Sequence, residues 1–166
     1  MSKKANPYYL FVYGTLRQGV SVPFKKKIEE EMEFVGKSQI TGKLYDIGDY
    51  PGAVKEKEKQ KTETDGRDNT RVVLGKQKTE TGRSVIKGEV IKINNPRKVM
   101  ALLDEYEGYN PKKAKTSEYL REKEQVKLED GKEVEAWVYW YNLPVEGKRR
   151  IRHRDYLDYL KKKKPA

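Results

Sequence analysis

A single well-marked helix stands between two groups of strand-like segments in this chain. Asn95 followed by Pro96 predicts the start of the helix, because asparagine is a favoured cap and proline is tolerated in the first turn. Gly108 predicts its end. The strand-like segments are residues 8–13, 36–54, 85–93, 125–128 and 134–141. Repeated βαβ units would need a helix after each strand, so the pattern predicts an α+β fold instead.

The apolar residues lie in blocks that are separated by charged segments. Of 166 residues, 38% are charged and 35% are hydrophobic, and a chain of this length fits one domain over residues 1–166. A short amphipathic helix is predicted over residues 24–34. Residues 55–84 are almost uniformly polar and contain KQKTET twice, which we interpret as an excursion with a protruding hairpin. Residues 146–166 are predicted to form a basic C-terminal tail.

The chain has no cysteine and one histidine, His153. Disulfides, thiolate metal sites and a cysteine nucleophile are therefore excluded, and so is a histidine-rich metal site. A Ser-His-Asp triad would have to use His153, which lies in the basic run KRRIRHR, a setting suited to solvent rather than to an active-site base. The remaining chemistry belongs to carboxylates, tyrosines, lysines, hydroxyls and backbone amides.

The net charge is +11, from 37 Lys and Arg against 26 Asp and Glu. A nucleic-acid partner is one interpretation of this charge, and a solvated surface dressed with Lys and Glu is the other. No nucleic-acid motif accompanies the charge, and Tyr156 and Tyr159 are as able to pack as to stack on bases. We therefore favour the solvated surface, because a basic stripe alone supplies only nonspecific attraction.

No run of about 18 apolar residues occurs in the sequence. The first residues, MSKKANP, carry positive charge with no apolar segment behind them, unlike a secretory signal. The sequence therefore predicts a soluble, cytoplasmic protein with no membrane partner.

Glu107 lies in the last turn of the predicted helix, whose apolar face is predicted to comprise Val99, Leu102, Leu103 and Tyr106. At about 100 degrees per residue, Glu107 falls between Leu103 and Met100, at the edge of that face. The negative end of the helix dipole and partial burial would both raise the pKa of this carboxyl, which suits a group that shuttles a proton near neutral pH. A frayed helix end with Glu107 in water is the alternative.

The first strand-like segment runs into a loop that begins and ends with glycine. Gly14 and Gly19 have the spacing of a phosphate-binding loop, but Val20 and Ser21 stand where Lys followed by Ser or Thr is required, so the nucleotide site is excluded. Backbone amides at a strand end are free of sheet pairing and can point at an oxygen-rich ligand. A tight turn without a ligand is the alternative.

Seven short blocks follow one another along the chain. They are YGTLR at 13–17, GKLYD at 42–46, YPGA at 50–53, GEV at 88–90, LDEYEGY at 103–109, YLR at 119–121 and AWVY at 136–139. In this order the blocks closely resemble the gamma-glutamylcyclotransferase-like family. The resemblance implies a compact, mixed β-sheet, barrel-like fold with a cavity and a few helices packed around it.

By resemblance, the implied activity is the cleavage of a gamma-glutamyl amide. The substrate is a gamma-glutamyl amine, peptide or isopeptide. The substrate's own α-amine attacks its side-chain carbonyl and gives 5-oxoproline and a free amine. By resemblance, Glu107 matches the catalytic acid/base, and no metal or organic cofactor is implied. The partner is then a small gamma-glutamyl molecule. A non-catalytic module that binds a small ligand or nucleic acid on the same fold is the alternative.

The substrate-binding residues are predicted in two groups. The turn that matches the family's amide cradle comprises Tyr13, Gly14, Thr15 and Leu16. Tyr119 and Tyr139 are predicted to line the cavity and to hydrogen-bond the substrate. Amphipathic packing of these two tyrosines at a sheet edge is the alternative.

Overall fold

The computed structural model describes residues 7–56, 84–152 and 154–163. Its strands are β1 (Tyr9–Val12), β2 (Met32–Thr41), β3 (Lys43–Asp46), β4 (Pro51–Val54), β5 (Val85–Ile93), β6 (Tyr119–Leu128), β7 (Glu133–Tyr141) and β8 (Arg149–Ile151). Its helices are α1 (Lys25–Ile28), α2 (Pro96–Glu107) and α3 (Tyr156–Lys163), with 3₁₀ turns at Glu29–Glu31 and Pro111–Thr116. Within these ranges no helix combines the length and the apolar character that crossing a membrane requires. The predicted hairpin within residues 55–84 and His153 lie outside the described residues.

Five strands close into a barrel in the order β1-β5-β2-β6-β7. Strand β1 is antiparallel to β5 and parallel to β7, and this parallel pair closes the ring. Side chains alternate across the barrel wall, as the two-residue period of a strand requires: Ser38 and Ile40 are buried, whereas Lys37 and Gln39 are exposed. The remaining strands form a small sheet in the order β4-β3-β8. The predicted α+β, barrel-like fold is confirmed.

The segment predicted as a basic C-terminal tail contains β8 and α3. Ile151, Tyr156 and Tyr159 are buried and belong to the same apolar cluster as the barrel residues Phe11 and Val138. The rings of Tyr156 and Tyr159 stack on each other with centroids 6.3 Å apart. These two tyrosines therefore pack in the core and are not available to stack on bases.

Two local predictions are wrong. The helix predicted over residues 24–34 stops at Ile28, and after one 3₁₀ turn the chain enters β2, where Met32 pairs with Ile93 of β5. From Met32 onward the backbone N–H and C=O groups are paired with β5 in the barrel instead of within a further helical turn. Asn95 precedes α2 as predicted, but its side chain makes no capping bond, because the residue adopts a left-handed conformation with φ 54°. Only its backbone carbonyl accepts a bond, from Val99 N–H at 3.1 Å.

A buried ionic network ties the loop after β1 to the rest of the fold. Arg17 Nε lies 3.2 Å from Glu89 Oε2, and Arg17 Nη1 lies 2.8 Å from Asp155 Oδ1. Arg17 and Glu89 are 6% and 4% exposed. Glu89 Oε1 also accepts a bond from the Gln18 N–H, and Asp155 Oδ1 accepts one from the Leu157 N–H at the start of α3. Arg17 therefore joins the loop, the barrel strand β5 and the C-terminal helix.

Arg17→Met is expected to lower the free energy of unfolding by about 3 to 5 kcal/mol, because it leaves the Glu89 carboxylate buried without its cation. Adding Glu89→Gln should recover a large part of that loss, since the second change removes the stranded charge. Urea unfolding of the wild type, both single variants and the double variant measures the coupling. If the stability losses of Arg17→Met and Glu89→Gln simply add in the double variant, the two residues are not coupled and the proposed network is wrong.

Candidate active site

A cavity of about 160 Å³ lies between the loop after β1, the C-terminal end of α2 and the strands β6 and β7. All the residues that the sequence marks as site residues line it: Tyr13, Gly14, Thr15, Leu16, Glu107, Tyr119 and Tyr139. The other lining residues are Leu10, Phe11, Val12, Tyr50, Pro51, Tyr106 and Glu118. The structure thus brings the predicted site residues together in one hollow. Their roles remain predictions.

The loop after β1 lines the cavity with Gly14, Thr15 and Leu16, whose backbone amides lie outside the strand ladder. β1 leaves the ladder after Val12, and a turn follows in which Arg17 N–H donates to the Gly14 carbonyl at 3.1 Å. Among the residues that the structure describes, none accepts a hydrogen bond from the N–H of Gly14, Thr15 or Leu16. A buried N–H without an acceptor is costly. These amides are therefore suited to bind oxygen atoms of a ligand.

Gly14 and Tyr13 fix the loop against β4 and β7. A β carbon on Gly14 would lie 2.7 Å from Pro51 Cγ, so only glycine permits this approach. The Tyr13 hydroxyl donates to the Tyr139 carbonyl at 2.7 Å and accepts from the Ala53 N–H at 3.2 Å. Burial, followed by the charge of Glu107, raises the pKa of Tyr13. The Tyr13 hydroxyl is therefore neutral and committed to the protein, and this residue holds the amides in place.

Glu107 presents its carboxyl from the last turn of α2. Gly108 ends the helix in a left-handed conformation, with φ 70°, and its N–H bonds back to the helix. Burial is the main cause that raises the pKa of Glu107 from 4.5 to about 8, and the nearby carboxylates of Glu118 and then Asp104 raise it further. The predicted rise in the pKa of Glu107 is present, and desolvation dominates it. A carboxyl with this pKa can both accept and return a proton near neutral pH.

Tyr106 joins the end of α2 to the amide loop. Its hydroxyl lies 3.5 Å from Thr15 Oγ1, and its ring stacks on Phe24 with centroids 4.0 Å apart. The prediction that Tyr106 belongs to the buried face of α2 is wrong, because the residue is 42% exposed and Met100 is buried instead. Glu107 is half-buried on the side of the helix that carries Leu103 and Met100, and Tyr106 lies outside that buried face.

Tyr119 and Tyr139 line the cavity with hydroxyls that already donate to protein acceptors. Tyr119 Oη donates to the Pro51 carbonyl at 2.8 Å, and Tyr139 Oη donates to Asp104 Oδ1 at 2.6 Å. Burial raises the pKa of both hydroxyls, so both are neutral. Their remaining lone pairs can accept bonds from a ligand, but they have no free proton to donate to one.

Asp104 stands one helical turn before Glu107 and anchors this part of the site. Its two carboxylate oxygens each lie 2.9 Å from a nitrogen of the Arg121 guanidinium, in a bidentate pair. With the Tyr139 bond, Asp104 receives three charge-assisted donors. Arg121 also lies over the ring of Trp137 at 4.8 Å. Asp104 thereby fixes α2 to β6 and β7.

Sequence reasoning missed Glu118 as a lining residue, although it comes directly before Tyr119. Its carboxylate accepts a hydrogen bond from the Tyr50 hydroxyl at 2.5 Å. A signal was available, because Glu118 directly precedes strand β6 and is the sequence neighbour of Tyr119, which is predicted to line the cavity. Within the described ranges, no group of three or more carboxylates or histidines is placed to hold a metal ion.

The family model for gamma-glutamyl cyclotransferase, AIG2-like, matches residues 10–67 and 69–158. This chain belongs to that family. The two matched stretches include every residue predicted for the site, from Tyr13 in the amide loop to Tyr139 in β7. A comparison with curated proteins gave no match.

Solved structures agree with the gamma-glutamyl cyclotransferase-like fold. An AIG2-like protein from Mus musculus superposes with a TM-score of 0.54 at 19% identity, over 86% of this chain and 82% of that one. An uncharacterized protein from Pyrococcus horikoshii gives 0.55 at 20% identity, over 94% and 95% of the two chains. The protein ytfP from Escherichia coli gives 0.50 at 27% identity, over 90% and 96%. These likenesses support the barrel fold of the family.

The raised pKa of Glu107 predicts how stability depends on pH. Between pH 4.5 and about 8, Glu107 holds its proton in the folded chain and releases it in the unfolded chain. Unfolding then releases a proton, so the free energy of unfolding falls as pH rises through this window, by on the order of 4 kcal/mol in total.

Glu107→Gln should lack this pH-dependent part of the free energy of unfolding. Its stability relative to the wild type should therefore be unchanged near pH 4 and higher at pH 8, as measured by urea unfolding across that range. Parallel pH profiles for the two proteins would contradict a desolvated Glu107.

Proposed function

We propose that this protein is a gamma-glutamyl cyclotransferase that converts a gamma-glutamyl amide to 5-oxoproline and a free amine. The observation that supports this most directly is that Glu107 and the loop residues Gly14, Thr15 and Leu16 line one small cavity. This cyclisation needs two functions in one site: a carboxyl that transfers a proton, and hydrogen-bond donors that bind an oxygen atom.

The first step removes a proton from the substrate's α-ammonium. Glu107 accepts that proton as a carboxylate, and its raised pKa of about 8 makes it a stronger base than an ordinary carboxylate. The free amine then attacks the gamma-carbonyl carbon of the same molecule. Because nucleophile and electrophile belong to one substrate, the protein's task is to hold the glutamyl part in a folded, near-attack shape.

The second step collapses the tetrahedral intermediate. As the amine nitrogen bonds to carbon, negative charge develops on the carbonyl oxygen, and the amides of Gly14, Thr15 and Leu16 are the donors available for that oxygen or for the substrate's α-carboxylate. The carbon–nitrogen bond to the leaving amine then breaks, and Glu107 returns its proton to the departing nitrogen. The ring nitrogen then gives up its second proton, which also passes by way of Glu107 to the released amine. The α-nitrogen thus loses two protons and the departing nitrogen gains two, and the products are 5-oxoproline and the protonated amine.

The tyrosines have supporting roles in this proposal. Tyr13 holds the amide loop through its bonds to Tyr139 and Ala53. Tyr119 and Tyr139 form neutral walls that keep water away from Glu107 and offer acceptor lone pairs to the α-ammonium. Exclusion of water from the site strengthens each electrostatic contact there.

The test identifies the product of the reaction and uses, as a control, a substrate whose α-amine is blocked. The wild type is incubated with a panel of gamma-glutamyl amides, and 5-oxoproline and glutamate are quantified by mass spectrometry. Cyclisation yields 5-oxoproline from the free substrate and nothing from its N-acetylated analogue, whose α-nitrogen is no longer a nucleophile. Glutamate as the product, or equal cleavage of the acetylated analogue, would indicate hydrolysis and would overturn the proposal.

A further inference from the structure

The cavity has a buried floor and a more exposed mouth. Its floor includes Leu10 and Phe11, which are 0% and 1% exposed. Its most exposed lining residues are Tyr50 and Tyr106, at 37% and 42%, and the half-buried Glu118 lines the cavity with them. Two phenol rings and one carboxylate therefore form the mouth.

The Glu118 carboxylate is held in place by its neighbours. The Glu118 N–H donates to the Gly108 carbonyl at 3.0 Å, and its own carbonyl accepts from the Asn142 N–H at 2.7 Å. The Tyr50 hydroxyl donates to the carboxylate. No Lys or Arg of the described residues forms an ion pair with Glu118. The mouth thus carries an anchored negative charge that no cation in the described part of the chain neutralises.

The cavity is acidic although the chain as a whole is strongly basic. The net charge of the chain is +11, yet of the described residues that line the cavity none is Lys or Arg and two are Glu. Lys25, Lys26 and Lys27 lie near in sequence to the amide loop but not in the cavity lining. A substrate group that enters this mouth therefore meets negative charge and tyrosine rings, a combination that favours cations.

We infer that the mouth selects gamma-glutamyl amides whose amine part carries a second, protonated amino group, with Glu118 as the specificity-determining residue. The inference rests on the proposed function. In that function the glutamyl part is held by the amide loop and Glu107, so the remainder of the amine part extends to the open side of the cavity. A cationic end there meets the Glu118 carboxylate and the rings of Tyr50 and Tyr106. An anionic end meets like charge, which acts against that class of substrate.

The experiment compares three substrates that differ mainly in the charge at one end. They are the gamma-glutamyl amides of butylamine, of 1,4-diaminobutane and of 4-aminobutanoate, which are neutral, cationic and anionic at that end. We expect kcat/KM for the cationic substrate to exceed that for the neutral one by about tenfold or more, with the anionic substrate lowest. Glu118→Gln should remove most of that preference, so that the ratio of kcat/KM for the cationic substrate to kcat/KM for the neutral one falls toward one. The ratio is the readout because loss of the Glu118 charge also changes the pKa of Glu107, which affects all three substrates alike.

Glu105→Gln is the matched control. Glu105 is an exposed acid in the same last turn of α2, and it does not line the cavity. This variant makes the same change in net charge and should keep the wild-type ranking of the three substrates. The ratio of cationic to neutral turnover in the wild type should also fall as salt is raised from low to high concentration, which tests the charge effect without any variant.

The outcomes separate the inference from the proposed function. No 5-oxoproline from any of the three substrates would overturn the proposed function. Turnover of all three at equal kcat/KM would overturn the inference alone. A Glu118→Gln variant that loses activity equally toward all three would also overturn it, because Glu118 would then contact the common glutamyl part. Selectivity that is lost in Glu118→Gln, kept in Glu105→Gln and weakened by salt supports it.

Discussion

Glu107→Gln is expected to lower kcat by roughly a thousandfold, within the range of about a hundredfold to ten-thousandfold for loss of a general acid/base. The amide side chain has nearly the shape of the carboxyl, but it cannot accept the α-ammonium proton or return it to the leaving nitrogen. The loss should appear in kcat and kcat/KM together, since the missing proton transfer belongs to the transition state. Initial rates of 5-oxoproline formation, with the wild type at the same pH, measure the effect.

A measurement of the free energy of unfolding distinguishes a loss of catalysis in Glu107→Gln from a loss caused by misfolding. At neutral pH the wild type carries the cost of a buried carboxyl whose pKa is raised to about 8, and Gln removes that cost. The variant should therefore be at least as stable as the wild type while it is inactive. Glu105→Gln, an exposed acid two residues earlier in the same turn, should match the wild type in both respects. A loss of less than about tenfold in Glu107→Gln would show that the carboxyl is not the proton shuttle.

The parts of the fold that follow local rules were predictable from the sequence. Strand β5 (Val85–Ile93) and helix α2 (Pro96–Glu107) lie where their patterns and end signals place them. The exit of the chain into the loop at Gly14 was also readable, because a glycine ends a run of strand-forming residues there. Local periodicity and turn residues carry this information without any long-range contact.

The parts that depend on contacts between distant residues were not predictable. The start of β2 at Met32 is set by pairing with Ile93, which lies far along the chain. The exposure of Tyr106 was not predicted, because its ring stacks on Phe24 and a helical projection contains no such partner. The bond from the Glu118 N–H to the Gly108 carbonyl, which holds Glu118 beside the end of α2, is likewise a contact between separate elements. Motif resemblance could pick out residues that line the cavity, but not the bonds that already occupy the hydroxyls of Tyr13, Tyr119 and Tyr139.

Gly14→Ala is expected to reduce kcat/KM by about a hundredfold or more. The added methyl group would lie 2.7 Å from Pro51 Cγ and 2.9 Å from Pro51 Cδ, so the loop must move away from β4. That movement displaces the amides of Thr15 and Leu16 from Glu107, and loss of one donor to a developing oxyanion costs about a hundredfold to a thousandfold in rate. A displacement of about 1 Å in a reacting geometry has a similar effect.

Gly36→Ala is the control for this loop variant. Gly36 lies in β2, and a β carbon there would lie 3.5 Å from Leu128 Cδ2, which is an ordinary contact. It should therefore leave kcat/KM unchanged, whereas Gly14→Ala should be impaired toward every gamma-glutamyl substrate regardless of the charge of its amine. That uniform loss distinguishes the amide loop, which holds the part common to all substrates, from the mouth at Glu118, which contacts the part that varies. A Gly14→Ala protein that folds and retains full activity would mean that the amides of this loop do not bind the reacting carbonyl or the α-carboxylate, and the cyclisation would need another oxygen-binding group.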